Sequence, residues 1–226
     1  MENDPESKAE HPATVLLEKV VGFYHKTLLR SQRALAFLKS KGIADTTLLK
    51  NCRAGLCKGN LRKILPEDPA TFDQLKALGL FTVAGDEHFL GCIVLPVYSA
   101  EAMLLTLVGY HTRTGEVSRL LSPTTSLWNA STARVHGELI LTGSILDGLA
   151  LMLAGFANVS AVFDLFLRDG DIALLHSYGV TRIMLCGPKD RLQGVQDQLA
   201  MFQPRLLDIP GGAADCLANQ GHERLS

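Results

Sequence analysis

Asp147 and Asp190 are the acids best placed to do chemistry in this chain of 226 residues. Each follows a short apolar run that breaks into a turn. Glu138-Leu-Ile-Leu-Thr142 leads through Gly143-Ser144 to Asp147, and Arg182-Ile-Met-Leu-Cys186 leads through Gly187-Pro188 to Asp190. Carboxylates gathered at neighbouring strand ends hold Mg²⁺, and a held Mg²⁺ stabilises phosphoryl transfer. Magnesium on Asp147 and Asp190 is therefore the cofactor these residues suggest. The turns themselves carry Gly143 and Pro188, neither of which can ligate or transfer a proton. The competing reading makes Asp147 a helix-face residue and Asp190 a helix cap.

Other reactive types form no second constellation. Cys52 and Cys57 are spaced C-x₄-C, but no further Cys or His pair completes a zinc site, so no zinc is expected. The histidines are scattered, and no Walker loop is present. Trp128 sits in what reads as an irregular loop, Ser122–Thr132, where it would either stack a base or pack on a sheet.

Charge supplies the second candidate. The net charge of −1 hides an asymmetry: residues 19–63 hold eleven Lys and Arg against a single acid, Asp45, and residues 64–226 hold ten against seventeen acids. A basic lobe of this kind is the electrostatic footprint of phosphate contact. The nucleic-acid-binding set is Lys26, Arg30, Arg33, Lys50, Arg53, Lys58, Arg62 and Lys63, with solvated helix faces as the alternative.

The elements that position these residues follow from periodicity. Residues 1–13 read as a flexible tail. A helix follows from a Thr14 cap, then a helix over Ser31–Lys41 closed by Gly42, a short one capped by Asp45, and one over Pro69–Gly79. Gly91–Tyr98 and Met103–Tyr110 form a hairpin, with Pro96 at an edge or a bulge. From Glu138 the pattern becomes βα units. Strands over Leu139–Leu141, Val159–Phe163, Arg182–Cys186 and Leu206–Ile209 alternate with helices over Ile145–Ala154, Asp169–Tyr178 and Gln193–Met201. Alternating short apolar strands and helices predict a parallel sheet covered on both faces, with ligands at the strand carboxyl ends. The fold class is α/β: an α+β basic lobe over 14–135, then a parallel sheet flanked by helices over 136–226. Apolar residues make up 47% of the chain, but no run nears the roughly 20 residues of a membrane span. The polar Met1–Pro12 has no signal core, and five cysteines are an odd number, so a cytoplasmic protein without a disulfide framework is expected.

In order and spacing these parts resemble the catalytic core of DnaG-type bacterial DNA primases, and most of all the primase-like TOPRIM proteins of mobile elements. Phe23-Tyr-His-Lys-Thr-Leu28 and Ala34-Leu-Ala-Phe-Leu-Lys-Ser-Lys-Gly-Ile43 are similar to the family's "YHxxL…ALxYLxxRG" opening. His88-Phe-Leu-Gly-Cys-Ile-Val-Leu-Pro-Val97 is similar to its "F.gRivfPv", and Trp128-Asn129 to its "lWN". Glu138–Val159 and Arg182–Asp190 resemble the two acid-bearing strands. The resemblance implies a TOPRIM site whose general-base Glu falls on Gly143, whose partner falls on Asp147, whose Asp-x-Asp pair falls on Pro188 and Asp190, and whose later Asp falls near Ala214 and Asp215. It also places Leu90 and Tyr110 where the family has arginines. Family segments outside the core, a zinc ribbon and a helicase-binding domain, are not expected here. Three functions follow. One is a catalytically impaired primase-like protein binding single-stranded DNA or RNA, or a replication or mobile-element partner. Another is an active primase in which Asp164, Asp169 or Asp171 replaces the missing acids. The last is a protein-interaction or inhibitor module.

Overall fold

The computed structural model describes residues 12–65, 68–120 and 125–220. Of the expected tail, residues 1–11 lie outside the described residues, while Pro12 and Ala13 already belong to helix α1 (Pro12–Leu29). The helix thus starts ahead of the anticipated Thr14 cap, and proline suits a first helical position. Leu17, Val20, Val21, Tyr24 and Leu28 recur at helical spacing and form its buried stripe. In α2 (Gln32–Ser40) the Ser31 hydroxyl accepts from Ala34 N. In α3 (Thr46–Asn51) the Asp45 carboxylate accepts from Thr47 N at 2.6 Å. After β1 (Gly55–Leu56) and a 3₁₀ turn at Leu61–Ile64 comes α4 (Pro69–Ala77), capped by Asp68.

Strands β2 (Cys92–Tyr98), β3 (Leu104–His111) and β4 (Val117–Arg119) complete an antiparallel sheet of order β1-β2-β3-β4. The predicted hairpin is present, and Pro96 meets the edge alternative, with the irregularity falling just beyond it. β1 pairs only with Ile93 and Val94, so Pro96 bonds to β3 alone, and the register shifts at Val97/Tyr98. β2 is buried on both faces because it separates two cores. Cys92 and Val94 pack with Tyr24, Leu75, Phe81 and Phe89, whereas Ile93, Leu95 and Val97 pack with Trp128, Ile145 and Leu149.

Gly55 fixes how closely β1 approaches α1. A Cβ there would lie 2.6 Å from Tyr24 Cβ and 2.8 Å from its backbone carbonyl carbon. Backbone cannot swing aside as a side-chain tip can, so Gly55→Ala should lower unfolding free energy by about 1–3 kcal/mol in urea titration.

The second sheet has order β5-β7-β6-β8-β9. Its members are β5 (Leu127–Trp128), β6 (Glu138–Thr142), β7 (Val159–Val162), β8 (Arg182–Gly187) and β9 (Arg205–Asp208). β6 through β9 are parallel and β5 is antiparallel to β7. The fold is therefore mixed α/β with a largely parallel sheet flanked by helices. A short α5 (Ala133–His136) precedes β6, and α6 (Ile145–Leu153), α7 (Asp169–Ser177), α8 (Lys189–Gln198) and α9 (Ala213–Gln220) follow their strands. Side chains alternate between two cores: Leu139, Leu141, Ile183 and Leu185 meet α7 and α8, while Val159, Ala161 and Cys186 meet α6 and α9.

Three expectations need correction. The supposed loop over Ser122–Thr132 contains β5, and Trp128 is a strand residue only 4% exposed, packed over Gly148. It is core and presents no face to a base; residues 122–124 of that stretch lie outside the described residues. α8 begins at Lys189 instead of Gln193, because Pro188 sets an extended N-cap directly after β8. α9 was not anticipated. Among the described residues no helix is long and apolar enough to cross a membrane.

Candidate functional site

Asp147 lies in the first turn of α6, at the carboxyl end of β6, and is only 6% exposed. Its carboxylate is already engaged. Oδ1 accepts the Ala214 N–H at 2.9 Å, so an acid on α6 caps helix α9 from 67 residues away. Gly212, at φ +92°, is required for this approach, since a Cβ there would fall 2.5 Å from Asp147 Oδ1. Burial pushes the Asp147 carboxyl up to about 6, against the lowering effect of the Ala214 N–H. One residue further along α9, Asp215 Oδ1 accepts from Lys41 Nζ at 2.7 Å. That hydrogen bond raises the Lys41 pKa and ties the end of α2 to α9.

These residues line a small polar cavity of about 160 Å³ with Tyr110, Gly143 and Arg191. Asp190 does not join them. It is exposed on α8 and borders an open cleft with Pro188 and Asp208 that adjoins the cavity, sharing Arg191 and Gly211 with it. The space beside Gly143 is filled. A Cβ there would lie 2.7 Å from Leu165 Cδ2 and 3.1 Å from Leu192 Cδ2. Leu165 holds a left-handed φ of +54°, a conformation costly for leucine, with its side chain in that space.

The replacement acids are occupied as well. Asp171 is 1% exposed and accepts from Thr125 Oγ1, from Ser126 N at 2.9 Å and from Arg168 N at 3.0 Å. Asp164 pairs with Arg119 and Arg168, and Asp169 is exposed at the start of α7. Among the described residues no three His, Cys, Asp or Glu side chains are grouped to hold a metal. Mg²⁺ demands near-octahedral oxygen donors. Of the two carboxylates lining the cavity, Asp147 is spent on a helix cap and Asp215 on Lys41, and beside a leucine-filled space that pair does not fit it.

The basic residues separate into distinct environments. Arg33 and Lys58 line one cleft of about 390 Å³, between α2, the β1 loop and the outer end of the β2–β3 hairpin. Arg113, from the β3–β4 turn, joins them there. The rest of the lining includes Phe37, Leu56 and Leu90, together with the hydroxyl-bearing Ser31 and Thr112. Arg113 was missed by sequence reasoning, because only the hairpin brings that turn beside α2. Lys26, Arg30, Lys50, Arg62 and Lys63 are exposed outside this cleft, with Arg62 stacked 4.6 Å over the Phe72 ring. Arg53 is half-buried at φ +51°, donating to Glu18 Oε2 at 2.5 Å and to the Tyr98 hydroxyl. Its guanidinium is committed within the lobe. Burial pushes the Cys52 thiol up to about 11.

No protein-family model matches this sequence, and no curated protein sequence is similar to it. Solved structures do match. The primase of Aquifex aeolicus, comprising zinc-binding and RNA polymerase domains, superposes over 99% of this chain with a TM-score of 0.79 at 18% identity. The fold is that of DnaG primase catalytic cores. A DNA primase domain from Pseudomonas aeruginosa matches with a TM-score of 0.80 at 16% identity, covering 94% of this chain and 76% of its own. The RNA polymerase domain of Mycobacterium tuberculosis DnaG gives 0.73 at 13% identity, over 97% and 82%. The chain spans only 62% of the Aquifex primase chain. At these identities the likeness is one of fold.

Proposed function

We propose that this chain is a primase-like protein that binds single-stranded nucleic acid through the Arg33–Lys58–Arg113 cleft and does not polymerise. The cleft is the observation that carries this reading. Three cations surround a floor containing Phe37, Leu56 and Leu90. A phosphate backbone takes the cations, and an unstacked base takes the apolar floor, a combination that suits a single strand better than a duplex. Support also comes from the neighbours: one is a DnaG catalytic domain bound to ssDNA, and another is the M. tuberculosis domain with a double-stranded oligomer bearing a 6-nucleotide overhang. Impaired catalysis is the reading favoured by Gly143, Pro188 and the helix-capping Asp147. The two-lobe division and a place in replication or on a mobile element belong to the same proposal.

Fluorescence anisotropy with a labelled oligothymidylate tests binding. Arg33→Ala, Lys58→Ala and Arg113→Ala should each weaken affinity and flatten the salt dependence by about 0.7 in log–log slope. Phe37→Ala should weaken binding on the order of tenfold with the slope retained. Unchanged affinity in all four variants would remove the cleft from consideration. Primer synthesis with Mg²⁺ or Mn²⁺ should be absent; synthesis that disappears in Asp147→Ala would overturn the non-catalytic reading.

A further inference from the structure

We propose that Asp147 is a positioning residue for the basic cleft, acting through α9 and α2. This rests on the reading of that cleft as the nucleic-acid site. The cleft wall formed by Ser31, Arg33, Ala34 and Phe37 belongs to one rigid piece, the N-cap and first turns of α2. The other end of α2 is gripped by α9. Lys41, the C-cap residue, bonds Asp215 at 2.7 Å, and Gly42 sits so close to Leu217 that a Cβ would lie 2.8 Å from Leu217 Cβ. α9 in turn starts where Asp147 accepts the Ala214 N–H. The chain of contact therefore runs from Asp147 to α9, from Asp215 and Leu217 to Lys41 and Gly42, and along a helix about 13 Å long to Arg33 and Phe37.

A second contact runs beside the first. The Phe37 ring stacks on Tyr110 with centroids 6.4 Å apart, and Tyr110 itself lines the Asp147 cavity. The old acid position and the cleft are thus joined along α2 and through one aromatic pair. An acid that touches no nucleic acid fixes the wall on which a base and a phosphate would rest.

The sign of the effect separates positioning from simple electrostatics. Removing an acid near a polyanion site strengthens binding if charge alone matters. Loosening the grip on α2 weakens it. Affinity for a labelled oligothymidylate is measured by anisotropy across a salt series, at a temperature where circular dichroism shows each variant folded. Asp215→Ala and Asp147→Ala should weaken binding on the order of three- to tenfold, the range seen for residues that act through others. Their salt slopes should stay at the wild-type value, because no phosphate contact is lost. Asp147→Asn should bind as the wild type does, since its amide oxygen still accepts from Ala214 N. Asp215→Ala tests the idea even if Asp147→Ala fails to fold, because Asp215 is a partly exposed side chain. Equal or tighter binding by Asp215→Ala, with Arg33→Ala still weakened, would overturn this inference and leave the cleft reading standing. Loss of dependence on Arg33, Lys58 and Arg113 would remove both.

Discussion

Glu87→Ala should lower the unfolding free energy by about 3–5 kcal/mol, the largest effect expected of any single substitution here. Glu87 is only 6% exposed and pairs with Phe81 in an isolated antiparallel bridge. Its carboxylate accepts from Tyr24 OH at 3.1 Å, from Cys57 Sγ at 2.9 Å and from Leu61 N at 2.5 Å. Truncation leaves three buried donors without an acceptor, and each costs its own desolvation. Burial drives Tyr24 far above the ordinary tyrosine range, so its hydroxyl is locked as a donor. Glu87→Gln should recover only part of the loss, since one of its two head atoms is a donor facing donors. Urea titration followed by circular dichroism measures both. The consequence reaches function, because Cys57 and Leu61 bracket the loop carrying Lys58. A loss below about 1 kcal/mol would mean that the three bonds do not hold this loop.

Much of this frame was legible because local chemistry and tertiary packing agree. Ser31 and Asp45 announce helix starts through bonds to amides two or three residues on, which periodicity can find. The βα units from Glu138 are legible for a similar reason: a parallel strand buried on both faces is a short apolar run, and Gly155 and Gly179 mark the helix ends at positive φ. What escaped was whatever depends on distant residues. α9 has its cap on Asp147, 67 positions upstream, so no signal ahead of Ala213 announces it. β5 is two residues long and exists only by pairing with β7. Arg53 reads as a free cation until Glu18 and Tyr98 close on it, and Arg113 reads as a turn residue until the hairpin carries it to α2. The acid site was half legible. That the two turns carry Gly143 and Pro188 instead of acids is plain in the sequence, but Leu165 and Leu192 filling the space beside Gly143 are a fact of three dimensions.

Asp147→Asn should stabilise the protein relative to wild type at neutral pH and lose that advantage in acid. The folded Asp147 carboxyl is raised from 3.8 to about 6, chiefly by burial. The folded state therefore holds its proton more tightly than the unfolded chain does. Between these values the native state binds more protons, so this group makes stability fall as pH rises, with the penalty complete above about pH 6 and absent below about pH 4. A shift of this size corresponds to about 3 kcal/mol. Asparagine carries no charge to bury and keeps an oxygen for Ala214 N, so the stability difference between variant and wild type should grow by about that amount between pH 4 and pH 7. Asp147→Ala behaves otherwise: it too escapes the charge penalty but loses the cap, an opposing cost of about 1 kcal/mol. Added Mg²⁺ separates this account from a metal site. A cation bound only by the native state would raise the unfolding midpoint by mass action. The wild-type midpoint should not move with Mg²⁺ at neutral pH, and a Mg²⁺-dependent rise that vanished in Asp147→Asn would show that the carboxylate holds metal rather than α9.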